Sequence, residues 1–227
     1  MEKMLFAEAV LQYYRQLGSP TNLPADVEVM NPYQNELTFE IASTFYRKYY
    51  SDDHERVILF GINPGRFGAG VTGVPFTDPL KLEEICDIPN DLEKKAELSS
   101  RFINEVIVAY GGPARFYAKY YISGVSPLGY LRAGINLNYY DIKGYKEMFE
   151  AYVVEQIEKQ LVFGINRKIA FSIGKGLNIK YLKYINDKYQ FFEEVLPLSH
   201  PRWVMQYRLK RKEEFITEYL EAFEKVG

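Results

Sequence analysis

Two stretches of this sequence carry residue types that could do chemistry. The first, Gly61-Ile62-Asn63-Pro64-Gly65-Arg66-Phe67-Gly68-Ala69-Gly70-Val71-Thr72-Gly73-Val74-Pro75-Phe76, contains five glycines and two prolines. A backbone of that composition is shaped to approach a ligand closely and to present N–H groups with no side chain in the way. Asn63 adds an amide that can both donate and accept. The second stretch, Ser199-His200-Pro201-Arg202-Trp203, offers an imidazole, the side chain best suited to move or hold a proton near neutral pH. From Arg202 to Lys212 there are five basic residues, Arg202, Arg208, Lys210, Arg211 and Lys212, and no acid. Such a run is usually a solvated helix face. A basic segment headed by an aromatic residue also suits an element that follows phosphates and displaces a base.

Other chemistries fit less well. Gly68-x-Gly70-x-x-Gly73 matches the spacing of a dinucleotide fingerprint, but that pattern should begin at a strand end and run into a helix, and Pro75 interrupts it. No cofactor is expected. The single cysteine, Cys86, excludes an intramolecular disulfide, a four-cysteine zinc site and a cysteine-ligated iron–sulfur cluster. With His54 and His200 the only histidines, a multi-histidine metal centre is not expected either.

The elements that must position these stretches show in the periodicity. Leu5, Ala9, Tyr13 and Leu17 before Gly18, and Leu37, Ile41, Phe45 and Tyr49, predict amphipathic helices. Short β-favouring runs at Val57 to Phe60, Tyr120 to Ile122, Ile169 to Ile173 and Phe192 to Leu198 predict four strands. Helical patterns lie between them (Phe102, Val106, Tyr110; Phe149, Val153, Ile157, Leu161; Leu177 to Ile185), and a last one runs from Phe215 to Phe223. Strands alternating with crossover helices predict a three-layer α/β/α sandwich on a central four-stranded parallel sheet. Ligands in such sheets bind outside the carboxyl ends of the strands, which are the segments starting at Gly61, Ser123, Gly174 and Ser199.

At 227 residues, 47% hydrophobic and 26% charged, the chain is expected to form one domain, with residues 1 to 50 as a helical N-terminal addition. The formal charge of −2 argues against a protein that coats nucleic acid without selectivity. No apolar run is long enough for a membrane span, and acids sit among the first eight residues where a signal peptide would be basic and then apolar. A cytoplasmic protein with no membrane partner is the expectation. The 20 tyrosines read first as core and half-buried packing.

Gly61-Ile62-Asn63-Pro64-Gly65 resembles the first motif of the uracil-DNA glycosylase superfamily in its mismatch-specific and single-strand-selective branches. With Phe67-Gly68 and Thr72-Gly73-Val74-Pro75-Phe76 it resembles the single-strand-selective monofunctional enzymes in particular. Ser126-Pro127-Leu128, Gly174-Lys175-Gly176 and His200-Pro201 resemble later segments of that family, so the likeness spans about residues 57 to 215. The resemblance implies an enzyme that flips a deaminated base out of DNA and hydrolyses its N-glycosidic bond. It implies catalytic roles for Asn63, which would orient water, and His200, which would donate to the base as charge develops there. Gly61, Ile62, Pro64, Gly65, Phe67, Phe76, Gly124 and Ser126 would bind the base, with Phe76 as the stacking platform. Pro201, Arg202, Trp203 and Arg208 would contact DNA, Arg202 and Trp203 as the wedge. No lysine lies in either motif, which implies a reaction without a Schiff base. A bulky residue at Gly65 would crowd the 5-position of a pyrimidine, so 5-substituted uracils are expected to fit.

One departure bears on specificity. Gly124 stands where the family usually has an asparagine that reads the uracil edge. Uracil held by backbone groups, and a different base such as xanthine or hypoxanthine admitted into the extra space, both remain open. So does a weak relative that binds damaged or single-stranded DNA without releasing a base. The expected partner in every case is DNA carrying a deaminated base, bound by a monomer.

Overall fold

A computed structural model describes residues 4–226; residues 1–3, which open the expected N-terminal addition, and residue 227 lie outside the described residues. The strands in chain order are β1 (Glu28–Met30), β2 (Val57–Gly61), β3 (Tyr120–Gly124), β4 (Gly129–Arg132), β5 (Ile135–Leu137), β6 (Ile169–Ile173) and β7 (Glu194–Leu198). The helices are α1 (Phe6–Arg15), α2 (Glu36–Tyr49), α3 (Ala69–Thr72), α4 (Pro79–Glu84), α5 (Leu98–Ala109), α6 (Pro113–Tyr117), α7 (Tyr145–Leu161), α8 (Leu177–Tyr189), α9 (Pro201–Tyr207) and α10 (Lys212–Glu224).

The four expected strands are β2, β3, β6 and β7, and they form one parallel sheet in the order β3-β2-β6-β7. All five residues of β2 are buried, as the central position of a covered parallel sheet demands. Alternation along β3 sends its two tyrosines to opposite faces. Tyr120 packs on Phe223 of α10, with ring centroids 4.5 Å apart, and Tyr121 on Phe6 of α1, at 5.3 Å. Helices α5, α9 and α10 pack together on one side, while α1, α2, α7 and α8 pack in sequence with one another on the other. The fold is the three-layer α/β/α sandwich.

Two features were not expected. A second, antiparallel sheet in the order β1-β4-β5 pairs Val29 with Tyr130 and Tyr130 with Leu137. The described part of the expected N-terminal addition, residues 4 to 50, is more than helical, because it supplies β1 and joins the central core. Phe6, Val10, Tyr14 and Tyr46 are buried in it, and the Tyr14 hydroxyl lies 3.1 Å from those of both Tyr46 and Tyr121. Those shared hydroxyl bonds satisfy groups that burial would otherwise penalise. No described helix is long and apolar enough to cross a membrane.

Candidate active site

The parallel sheet ends in a cavity of about 140 Å³ at its carboxyl edge. That is room for a planar ring system, since about 10–15 Å³ of such space holds one water. Asn63 and Phe76, from the two ends of the glycine-rich stretch, and His200, from the end of β7, all line it. Gly61, Ile62, Pro64, Gly65, Gly124 and Arg202 line it as well.

The glycine-rich loop is held in place from several sides. Gly61 and Ile62 continue the pairing of β2 with the chain after β3, their carbonyls accepting from the Val125 and Ser126 amides at 3.0 and 3.1 Å. Asn178 of α8 donates to the Phe60 and Gly61 carbonyls, each at 3.3 Å, and its Oδ1 accepts from the Tyr139 hydroxyl at 3.0 Å. Tyr139 in turn gives its backbone N–H to Asn63 Oδ1 at 3.0 Å. The Asn63 Nδ2 donates to the carbonyls of Leu137, at 3.1 Å, and Pro64, at 3.3 Å. Both amide hydrogens are thus engaged, and what this side chain has left to offer is a second lone pair on Oδ1.

Phe76 lies across the end of β2. A Cβ on Gly61 would stand 2.8 Å from Phe76 Cε2, so only glycine there lets the ring lie where it does. Its backbone has φ of +52°, a left-handed conformation that costs a bulky residue ~1–3 kcal/mol. Hydrogen bonds hold it there: buried Thr72 Oγ1 accepts from the Val74 amide at 3.1 Å and donates to the Thr77 carbonyl at 2.7 Å, and Asn104 Nδ2 donates to the Phe76 carbonyl at 3.2 Å.

His200 sits between β7 and α9, whose first residue, Pro201, is buried. The preceding Ser199 is clamped by α10: its amide and hydroxyl donate to the two Glu218 carboxylate oxygens at 3.0 and 3.1 Å, and Tyr219 donates to its carbonyl at 2.6 Å. Burial, reinforced by the positive charge of Arg202, pushes the His200 pKa down to about 4. The imidazole is therefore neutral at neutral pH.

Three expectations about placement need correction. Phe67 is 41% exposed and is not among the cavity residues; the Arg66 guanidinium sits 4.5 Å from its ring centroid and the Lys95 ammonium 5.1 Å, which holds the ring outward. Ser126 is fully buried away from the cavity, with its Oγ 2.7 Å from the Tyr130 hydroxyl and 3.0 Å from the Leu128 carbonyl. In the basic run, Arg211 is paired with Glu214 at 2.7 Å and Lys212 with Glu105 at 2.5 Å, so those two charges are satisfied internally. Arg202 and Trp203 are both exposed on α9; Arg202 lines the cavity, Trp203 lines a separate groove beside His200, and the Arg208 guanidinium lies 4.9 Å from the Trp203 ring centroid.

The cavity also holds residues that sequence reasoning missed. Tyr14 and Tyr33, stacked with centroids 3.8 Å apart, bring the N-terminal segment to its wall, and the Tyr33 hydroxyl donates to the Gly73 carbonyl at 3.1 Å. β5 and the residue after it bring Asn136 and Asn138. Glu97, just before α5, adds a carboxyl. The one signal for the last was the bare loop opposite it: a Cβ at Gly68 would lie 2.1 Å from Glu97 Oε2. At Gly124 a Cβ would lie 2.4 Å from the Ser126 carbonyl oxygen, so this backbone has no room for the asparagine the family usually carries there. Among the described residues no three His, Cys, Asp or Glu side chains are grouped as a metal would need.

The model of the uracil DNA glycosylase superfamily matches residues 47–224. No curated protein matches the chain. Among solved structures, the crystal structure of wild-type SMUG2 from Pedobacter heparinus is similar, with a TM-score of 0.94 and 41% sequence identity over 98% of each chain. With the fold, the glycine-rich first motif and this match in agreement, the chain belongs to the uracil DNA glycosylase superfamily.

Proposed function

We propose that this protein is a monofunctional DNA glycosylase, which takes a deaminated base, uracil first among them, out of DNA into the cavity and hydrolyses its N-glycosidic bond. The observation that supports this reading best is that Asn63, Phe76 and His200 line one cavity at the carboxyl end of the parallel sheet. Flipping a base out costs a few kcal/mol, which stacking and edge hydrogen bonds in a pocket must offset. Phe76 stacks on the base, its ring fixed by the close approach to Gly61. As the glycosidic bond breaks, negative charge collects on the base, and a prepositioned N–H donor stabilises that charge most. Neutral His200 is that donor: it gives a hydrogen bond to the base carbonyl and keeps its proton. The free lone pair of Asn63 Oδ1 accepts from the attacking water and orients it toward the sugar carbon.

Asn63 carries no charge, so water is oriented rather than deprotonated before the bond breaks. Among the described residues lining the cavity there is no lysine, which fits hydrolysis without a Schiff base. Pro201, Arg202, Trp203 and Arg208 meet the duplex, Trp203 filling the space the base vacates with Arg208 stacked behind it.

The test is an oligonucleotide carrying one uracil, single- or double-stranded, incubated with protein and then treated with alkali. Strand scission at the uracil, lost in His200→Ala, is the expected result. Tight binding with no base released in a single turnover would identify a binding protein instead.

A further inference from the structure

Glu97 and Asn136 both line the cavity and both approach Gly65. A Cβ built on Gly65 would lie 3.3 Å from Glu97 Oε1 and 3.7 Å from Asn136 Nδ2, and because Gly65 has none, a ligand at that wall meets the carboxyl and the amide directly. The Asn136 Oδ1 is already taken by the Arg66 amide at 3.2 Å, which turns its NH2 group into the part on offer. A carboxyl that keeps its proton would make this wall a pair of donors. Its surroundings favour the proton. Burial and the Asp78 carboxylate, whose Oδ2 accepts the Glu97 backbone N–H at 2.9 Å, raise the Glu97 pKa, and Arg202 opposes them more weakly. The other charged or titratable side chains lining the cavity are Tyr14 and Tyr33 from the N-terminal segment and His200 and Arg202 at the start of α9, while Arg66 and Lys95 stack on Phe67 outside it.

Two adjacent donors are complementary to two adjacent acceptors. Purines with a 6-oxo group carry O6 and N7 side by side, whereas uracil has O4 next to a C5–H. We propose that Glu97 and Asn136 read the O6/N7 edge of a deaminated purine, and that Glu97 passes its proton to N7 as that base leaves. This rests on the glycosylase reading above. In the step, the C1′–N9 bond breaks and its electron pair passes to the base. The carboxyl proton moves to N7, so the base departs neutral. A water oxygen bonds to C1′, and the proton that water loses goes to solvent, from which the carboxylate is reprotonated. Uracil has no nitrogen to take that proton at this edge, so its release leans on His200.

The test compares single-turnover release from oligonucleotides carrying one hypoxanthine or one uracil, across acid to neutral pH. In the wild-type protein the hypoxanthine-to-uracil rate ratio falls as pH rises and Glu97 ionises; because His200 weighs more on uracil release and titrates at about 4, the ratio is read from about pH 5 upward, where His200 is neutral throughout. Glu97→Gln keeps an N–H donor but has no proton to transfer, and it lowers the ratio by ~10²-fold and flattens its pH dependence. Asn136→Ala lowers the ratio about tenfold, the effect of one hydrogen bond. A ratio and slope unmoved by Glu97→Gln would overturn the proposal, as would uracil release by the wild type without hypoxanthine release. Should the glutamine variant fail to fold, a pH-independent wild-type ratio overturns it equally. A wild type that releases no base at all removes the glycosylase reading itself, and this proposal with it.

Discussion

His200 makes a prediction that does not depend on substrate. In the unfolded chain its imidazole takes up a proton as pH falls through 6.5, whereas in the folded protein burial and Arg202 keep it neutral until about pH 4. The folded state therefore binds fewer protons over this window, and acidification favours unfolding. The separation of about 2.5 units, at ~1.36 kcal/mol per unit, gives a loss of about 3 kcal/mol between those limits. Above pH 6.5 both states hold the neutral ring and the contribution is complete; below about pH 4 both are charged and no further loss accrues. His200→Gln removes the titrating group and keeps a polar side chain. Urea unfolding of both proteins at a series of pH values isolates the contribution of His200 as the wild-type stability minus that of the variant. The expected difference is level above pH 6.5 and falls by about 3 kcal/mol on the way to pH 4. A difference that stays level throughout would show that the ring is charged or solvated in the folded protein, and the assignment of His200 as a neutral donor would fail.

Asn63→Ala should cost twice: ~10²-fold or more in base release, from loss of the water-orienting carbonyl, and ~1–3 kcal/mol of stability, because the Tyr139 amide loses its 3.0 Å acceptor. Rates and denaturant midpoints check the two separately. Asn63→Asp keeps that acceptor but turns a carboxylate toward the Leu137 and Pro64 carbonyls, so a stability below the wild type is expected from the same unfolding measurement. Gly61→Ala would push a methyl to 2.8 Å from the Phe76 ring; an overpacking cost of ~1–3 kcal/mol and a raised KM for uracil in DNA should accompany the displaced ring. Trp203→Ala should slow release from double-stranded DNA more than from single-stranded DNA, since only the duplex needs its stack refilled; equal slowing of both would remove the wedge role.

The parallel sheet was legible because its strands are short apolar runs that end in glycine or at a loop, with helices of crossover length between them. The second sheet was not. β1 and β5 have three residues each, β5 is largely exposed, and β1 pairs with β4 about a hundred positions away, so neither period nor apolar content announces them. That sheet is what carries Asn136 and Asn138 to the cavity. Asn63, Phe76 and His200 could be picked out because a glycine-rich loop and a strand-end histidine are local signals. Phe67 shares the glycine-rich loop and Ser126 stands out only through the family resemblance, yet both lie elsewhere, since Arg66 and Lys95 flank the Phe67 ring outside the cavity and the Ser126 hydroxyl bonds inward to Tyr130. Glu97 follows a polar stretch with no motif of its own, and its place is set by tertiary packing against Gly65 and Gly68. Tyr14 and Tyr33 read as generic core aromatics, and only their stacking at the cavity wall sets them apart.

Base release itself is the most direct test of the central claim. Protein is mixed in excess with DNA carrying a single uracil, the free base is measured over time, and the same is done with Asn63→Ala and His200→Ala of verified fold. Release of free uracil with an alkali-labile site left behind, slowed by ~10²-fold or more in each variant, is expected. Full-rate release by both variants, or no release by the wild type from uracil, hypoxanthine or xanthine, would contradict it.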